Sequence, residues 1–169
     1  MIIVRVIVYK TRHNGTYKIA KVINEYIGDC VLMNIDDLDM SVLEKADVII
    51  VGTPVYYGKL ESDIVDFILN HQDLLIERSY CLFVVGLLQN EFMNCVTQAF
   101  EYSILKNIKV IAGLGGVIYY PALNMSEKMI LQVMNKRVPV INKQKDKDIF
   151  ENFNNEEIEI FANKIKKLG

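Results

Sequence analysis

Cysteine and histidine are scarce in this chain, and long apolar runs are missing. Three cysteines, Cys30, Cys81 and Cys95, stand far apart among 169 residues, and no Cys-x-x-Cys occurs. That spacing argues against a zinc ribbon and against a thioredoxin-type redox pair. Scattered thiols in odd number suit a reducing compartment, and Cys30 and Cys81 fall in predicted strands as buried, inert thiols. The two histidines are His13 and His71. His71 is placed at the far end of a helix, so His13 has no second imidazole with which to hold a metal. No run of about 18 apolar residues appears, so no membrane-spanning helix is expected. The first residues enter a strand with no basic segment and cleavage site, so no signal peptide is expected and the location reads as cytoplasmic. Neither Gly-x-Gly-x-x-Gly nor Gly-x-x-x-x-Gly-Lys-Ser/Thr is present, which sets aside the dinucleotide fingerprint and the Walker loop. A net charge of −2, with no basic patch carrying interleaved aromatics, argues against a nucleic-acid partner. No Ser/His/Asp or Cys/His arrangement is placed together, so no catalytic residue is assigned.

What remains is an ordinary globular composition, 51% hydrophobic and 24% charged, which argues against disorder. One domain over residues 1–169 is expected. The chain is organised by Ile2 to Ala20. An apolar, β-branched run, Ile-Ile-Val-Arg-Val-Ile-Val-Tyr, reads as a strand buried on both faces. Ile19, Ala20, Val22, Ile23 and Tyr26 have helical spacing. Between them lies a loop rich in hydroxyls and amides, Thr11 to Thr16. A helix start carries N–H groups without intrahelical partners, and its dipole favours an anion. Thr11, Asn14 and Thr16 add side-chain donors, and Gly15 allows close backbone approach. The loop reads as a phosphate cradle; the alternative is that its Thr or Asn merely caps the helix.

The rest of the chain repeats β then α. Gly28 is a predicted C-cap with Asp29 in the turn, and Cys30 to Ile35 a second strand. Ser41 is expected to cap a short helix over Val42 to Lys45, and Asp47 to Val51 forms a third strand. A helix starts near Glu61, Tyr80 to Leu87 is a fourth strand, and Phe92 to Leu105 reads as one helix. Lys109 to Leu114 is a fifth strand, and Asn155 to Leu168 the final helix. Buried strands alternating with helices predict an α/β fold, an open parallel sheet with helices on both faces. Ligands then bind outside the carboxyl ends of the strands. Three loops therefore converge at one site: Lys10–Thr16, Thr53–Lys59 and Leu87–Asn90. The second carries two adjacent aromatics in Thr53-Pro54-Val55-Tyr56-Tyr57-Gly58-Lys59. Tyr56 or Tyr57 can stack on a flat ring, and Gly58 lets backbone approach it. The alternative is a packed turn whose tyrosines cover the sheet edge.

Tyr9-Lys10-Thr11-Arg12-His13-Asn14-Gly15-Thr16 followed by Lys18-Ile19-Ala20 resembles the phosphate loop and helix start of the flavodoxin-like flavoproteins. Tyr57-Gly58-Lys59 with Ser62 to Phe67, and Ile111-Ala112-Gly113 with Tyr120-Pro121 and Met129-Ile130, add likeness to the menaquinone-dependent protoporphyrinogen dehydrogenase branch. Lys10 stands where that family often has a hydroxyl residue. The resemblance implies a flavodoxin-like three-layer α/β/α sandwich with a five-stranded parallel sheet in order 2-1-3-4-5. It implies FMN as cofactor. Thr11, His13, Asn14, Gly15 and Thr16 would hold its phosphate, with Arg12 in the same cofactor-binding set. Thr53, Pro54, Val55, Tyr56, Tyr57 and Gly58 would flank its ring on one side. Leu88, Gln89 and Asn90 would flank it on the other.

Residues 119–153 read as an insertion before the final helix. Ser126 is expected to cap a helix with Met129, Ile130, Val133 and Met134 on one face. Beside Lys128, Lys136 and Arg137, that face suits a peripheral contact with the inner membrane surface; the alternatives are a lid on the core and a homodimer contact. Three functions follow. One is an FMN-dependent oxidoreductase resembling the protoporphyrinogen dehydrogenase, with a quinone acceptor. The second is a small flavodoxin electron carrier that docks with redox proteins. The third is a cofactor-free flavodoxin-fold interaction module.

Overall fold

The computed structural model describes residues 2–87, 91–119, 124–126, 128–129 and 149–169. Five parallel strands form the sheet: β1 (Arg5–Tyr9), β2 (Val31–Asn34), β3 (Val48–Tyr56), β5 (Ser79–Val85) and β6 (Ile108–Gly113). The short β4 (Lys59–Leu60) pairs antiparallel with the end of β3. The order is β2-β1-β3-β5-β6, so β1 lies between β2 and β3 and the chain reverses direction across the sheet there. This is the expected 2-1-3-4-5 arrangement with one extra short strand in the count. Register pairs Val8 with Met33 on one side and Val51 on the other.

Successive strand residues point to opposite faces, and both faces are buried. One face, with Val6, Val8, Ile49, Val51 and Leu82, packs under α3 (Ser62–Asn70), α4 (Gln72–Glu77) and α5 (Phe92–Ala99). The other, with Ile7, Ile50, Cys81 and Phe83, packs under α1 (Gly15–Ile27) and the final helix α7 (Asn155–Lys166). The three layers are those expected. Gly52 in β3 is required by a close approach: an added Cβ would overlap the ring of Phe83, which is fully buried and meets Phe161 of α7 edge-on at 6.0 Å.

Several local expectations shift. Gly28 is the C-cap of α1, at φ 82 with its N–H on the Asn24 carbonyl. Asp39, not Ser41, caps α2 (Met40–Leu43): its carboxylate accepts from the Ser41 N–H at 2.9 Å and from the Ser41 hydroxyl at 2.7 Å. A carboxylate two residues earlier makes the stronger, charge-assisted cap. The helix expected over Phe92 to Leu105 is two, α5 and α6 (Tyr102–Leu105), because Phe100 takes an extended conformation (φ −131, ψ 140) and buries its ring. Ser126 lies inside a helical turn rather than capping it: Met125, Ser126, Lys128 and Met129 are helical, and the Lys128 N–H bonds the Asn124 carbonyl at 3.0 Å. Ile130, Val133, Met134, Lys136 and Arg137 lie outside the described residues.

After β6 the chain turns into β7 (Gly115–Tyr119), which pairs antiparallel with β8 (Ile149–Phe153). The segment between these strands thus leaves and rejoins the domain through a two-stranded ribbon. The ribbon is fixed to the body. The Gly86 N–H bonds the Gly115 carbonyl at 2.9 Å, the Asn154 N–H bonds the Leu114 carbonyl at 3.1 Å, and Lys18 of α1 pairs with Glu151 at 3.0 Å. Among the described residues, no helix is long and apolar enough to cross a membrane.

Candidate functional site at the carboxyl edge of the sheet

The first loop leaves β1 beside β3, where the Lys10 N–H bonds the Gly52 carbonyl at 3.3 Å. It ends at α1. Asn14 occupies the N-cap position in the left-handed region (φ 63, ψ 5) and makes no side-chain cap hydrogen bond. Its carbonyl starts the helical ladder by accepting the Lys18 N–H at 2.9 Å. The capping alternative for Asn14 therefore does not describe its side chain. No acidic residue stands in the first turn of α1 to balance the dipole. Gly15 and Thr16 are buried, His13 is partly buried, and Arg12 and Asn14 are exposed.

Thr11 carries the most pointed observation. Its hydroxyl oxygen is buried and has no hydrogen-bond partner among the described residues. A buried hydroxyl left unpaired costs on the order of 1–3 kcal/mol. A polar group held in that way, in the loop that leads into a helix start without a side-chain cap, fits a bound phosphate oxygen.

The second loop is shorter than expected. β3 runs on past Val51, because β5 is long enough to pair with it through Thr53↔Val84 and Pro54↔Val85. Val55 and Tyr56 then pair with β4 through a two-residue turn, Tyr57-Gly58. Both turn residues have positive φ, 53 and 74, as a tight hairpin matched to strand twist requires. Asn-Gly, the usual pair at such turns, is absent here; Tyr57 adopts the left-handed conformation that Asn more often fills. Thr53 is fully buried and its hydroxyl is engaged within the fold. It donates to the Pro54 carbonyl at 3.0 Å and accepts the Glu61 N–H at 3.2 Å, which fixes the start of α3. Tyr56 is half-buried and Tyr57 is 56% exposed. The Cys95 thiol of α5 donates to the Gly58 carbonyl at 3.3 Å, tying the turn to the helix below.

The first two loops meet. The Arg12 guanidinium lies over the Tyr56 ring, 4.4 Å from its centroid. Lys10 reaches Asp36, after β2, at 2.7 Å and Asp63, in the first turn of α3, at 3.3 Å. Hydrogen bonding to Asp36, then to Asp63, raises the Lys10 pKa above its ordinary value despite partial desolvation. The sequence places Lys10 in the first loop without showing either of these partners. The usable signal was topological: in a 2-1-3 order, the residue after β1 sits between the residues after β2 and β3. The third loop begins beside the second, since Pro54 pairs with Val85. Leu88, Gln89 and Asn90 lie outside the described residues. Gly116 of β7 packs so closely on that loop that an added Cβ would stand 2.9 Å from the Gly86 carbonyl carbon.

The thiols are all free. Burial pushes the Cys81 thiol up to about 12, and burial also raises Cys30 and Cys95. These are packing thiols. Among the described residues no cluster of His, Cys, Asp and Glu could hold a metal ion.

A family model described as "Flavodoxin domain" matches residues 6–147. Among curated proteins, no sequence matches this chain. Solved structures match it over almost its full length at low identity. A short-chain flavodoxin associated with a non-canonical PDU bacterial microcompartment is 14% identical with a TM-score of 0.58, covering 98% of each chain. A flavodoxin from Streptococcus pneumonia TIGR4 is 17% identical with a TM-score of 0.54, covering 96% of this chain and 97% of that one. A Fusobacterium nucleatum flavodoxin, solved bound to flavin mononucleotide, is 13% identical with a TM-score of 0.52, covering 98% of each.

Proposed function

The chain belongs to the flavodoxin domain family, and from that premise we propose that it binds FMN non-covalently at the carboxyl edge of its sheet and serves in electron transfer. The observation that carries the reading is the buried Thr11 hydroxyl, without a hydrogen-bond partner among the described residues, in the loop leading into α1. Thr11, Arg12, His13, Asn14, Gly15 and Thr16 hold the phosphate. Tyr56, Tyr57 and Gly58 face the flavin ring on one side, with the backbone of Thr53, Pro54 and Val55 beneath them, and Leu88, Gln89 and Asn90 face it on the other. Bound there, FMN supplies one- or two-electron redox chemistry. The chain's own part is to hold the phosphate, shape the ring site and fix the loops. Lys10 braces the first loop against Asp36 and Asp63, and Cys95 braces the Tyr57-Gly58 turn.

The finer reading is an oxidoreductase resembling the menaquinone-dependent protoporphyrinogen dehydrogenase, acting on a large substrate with a quinone acceptor, in the cytoplasm near the inner membrane face. The β7–β8 ribbon favours it over a minimal carrier. The ribbon packs through Gly115 and Gly116 on Gly86, at the start of the third loop. The competing reading is a carrier that docks with redox proteins. Anaerobic mixing of the photoreduced, FMN-loaded protein with a soluble naphthoquinone and with cytochrome c separates the two. Faster reoxidation by the quinone supports the first, and faster reoxidation by cytochrome c the second. If neither acceptor outpaces its reaction with free reduced FMN, the electron-transfer function is wrong.

A further inference from the structure

The contact between Arg12 and Tyr56 joins the two halves of the site, and its geometry has a consequence for ligand choice. The guanidinium lies 4.4 Å from the ring centroid, within the range of a cation–π contact, and covers one face of Tyr56. A flat ring cannot stack on that face while the guanidinium is there. Arg12 belongs to the same short loop as Thr11, whose buried hydroxyl lacks a partner among the described residues, and Asn14, whose side chain leaves the helix start uncapped. A phosphate in that loop offers an arginine two parallel charge-assisted hydrogen bonds, which are stronger than an exposed cation–π contact.

We propose that Arg12 is a specificity-determining residue: a phosphate in the Thr11–Thr16 loop draws its guanidinium off the Tyr56 ring, so a flavin ring gains that face only when a phosphate is also bound. The site then selects phosphorylated over unphosphorylated flavin by two linked terms. One is the direct pairing with phosphate; the other is release of the aromatic face. This rests on the FMN reading given above.

The test is a set of fluorescence-quenching titrations with FMN and with riboflavin, on the wild type and on Arg12→Gln and Arg12→Lys. Arg12 is exposed, so these substitutions leave the core intact. In Arg12→Gln, riboflavin should bind about two- to five-fold more tightly, the equivalent of losing an exposed cation–π cover. FMN should bind at least about ten-fold more weakly, as the charge-assisted pairing with the phosphate is lost. Arg12→Lys should keep part of the FMN affinity, because the charge remains while the two-bond fork is lost. Inorganic phosphate should tighten riboflavin binding to the wild type and leave Arg12→Gln unmoved, an effect that a purely structural role for Arg12 does not produce. The proposal is overturned if riboflavin binds Arg12→Gln no better than wild type, or if inorganic phosphate leaves riboflavin binding to wild type unchanged. Those results with normal FMN binding by the wild type remove the Arg12 assignment alone. Failure of the wild type to bind FMN removes the FMN reading and this inference with it.

Discussion

Replacing Thr11 by valine separates what this residue does for the fold from what it does for a ligand. Valine has nearly the shape of threonine and lacks only the hydroxyl. In the structure that hydroxyl oxygen is buried and has no partner among the described residues. An unpaired buried hydroxyl costs on the order of 1–3 kcal/mol, part of which remains in any real site through relaxation and solvent access. Thr11→Val should therefore leave the stability of the ligand-free protein unchanged or raise it by up to about 1 kcal/mol. Its effect on FMN should have the opposite sign. A hydrogen bond from a hydroxyl to a charged phosphate oxygen contributes about 1.5–3 kcal/mol, so the dissociation constant should rise by roughly ten-fold or more. Urea denaturation of the ligand-free protein and FMN titration of the same preparation give both numbers. Loss of more than about 1 kcal/mol of stability, with FMN affinity intact, would mean that the hydroxyl has a structural partner and no ligand role.

Gly52→Ala should destabilise the fold by about 1–3 kcal/mol through overpacking against Phe83. Phe83→Leu should relieve it, so that the double variant is less damaged than the sum of the two by more than about 0.5 kcal/mol; additive losses in denaturant melts would place the clash elsewhere. Lys10 has a folded-state pKa raised by Asp36 and Asp63. Its contribution is therefore complete below the ordinary lysine value of 10.5 and fades as pH climbs through the raised folded value. The stability difference between wild type and Lys10→Met should be flat from about pH 7 to pH 9 and shrink above that ordinary value. A difference that instead shrinks between pH 7 and pH 9 would contradict the two-carboxylate setting.

The layered fold was legible because it is written in periodicity. Ile7, Ile50 and Phe83 face one helical layer while Val8, Val51 and Leu82 face the other, and runs buried on both faces carry that pattern without help from distant residues. The strand order, read through the family resemblance, emerged as expected. Boundaries set by tertiary pairing were less legible. Gly52 and Pro54 look like the end of a strand, yet β5 holds them in register, and Tyr57 accepts a left-handed turn that composition alone would assign to Asn. The break at Phe100 has the same origin, since burying one ring outweighs continuing a helix. In the site, the residue types at Thr11 to Thr16 were readable as donors. Which of them the fold leaves unspent was not, because that depends on partners: Thr53 has an engaged hydroxyl, whereas Thr11 has no partner among the described residues. The Lys10–Asp36–Asp63 cluster needed the order of the strands, which no local window contains.

The account turns on whether the loops after β1 and β3 hold a flavin phosphate and ring together. The direct measurement is a visible absorption and fluorescence titration of the purified protein with FMN. A saturable one-to-one change, with both flavin bands shifted and emission quenched, is the predicted result. An FMN spectrum that stays that of the free compound at high concentration contradicts it.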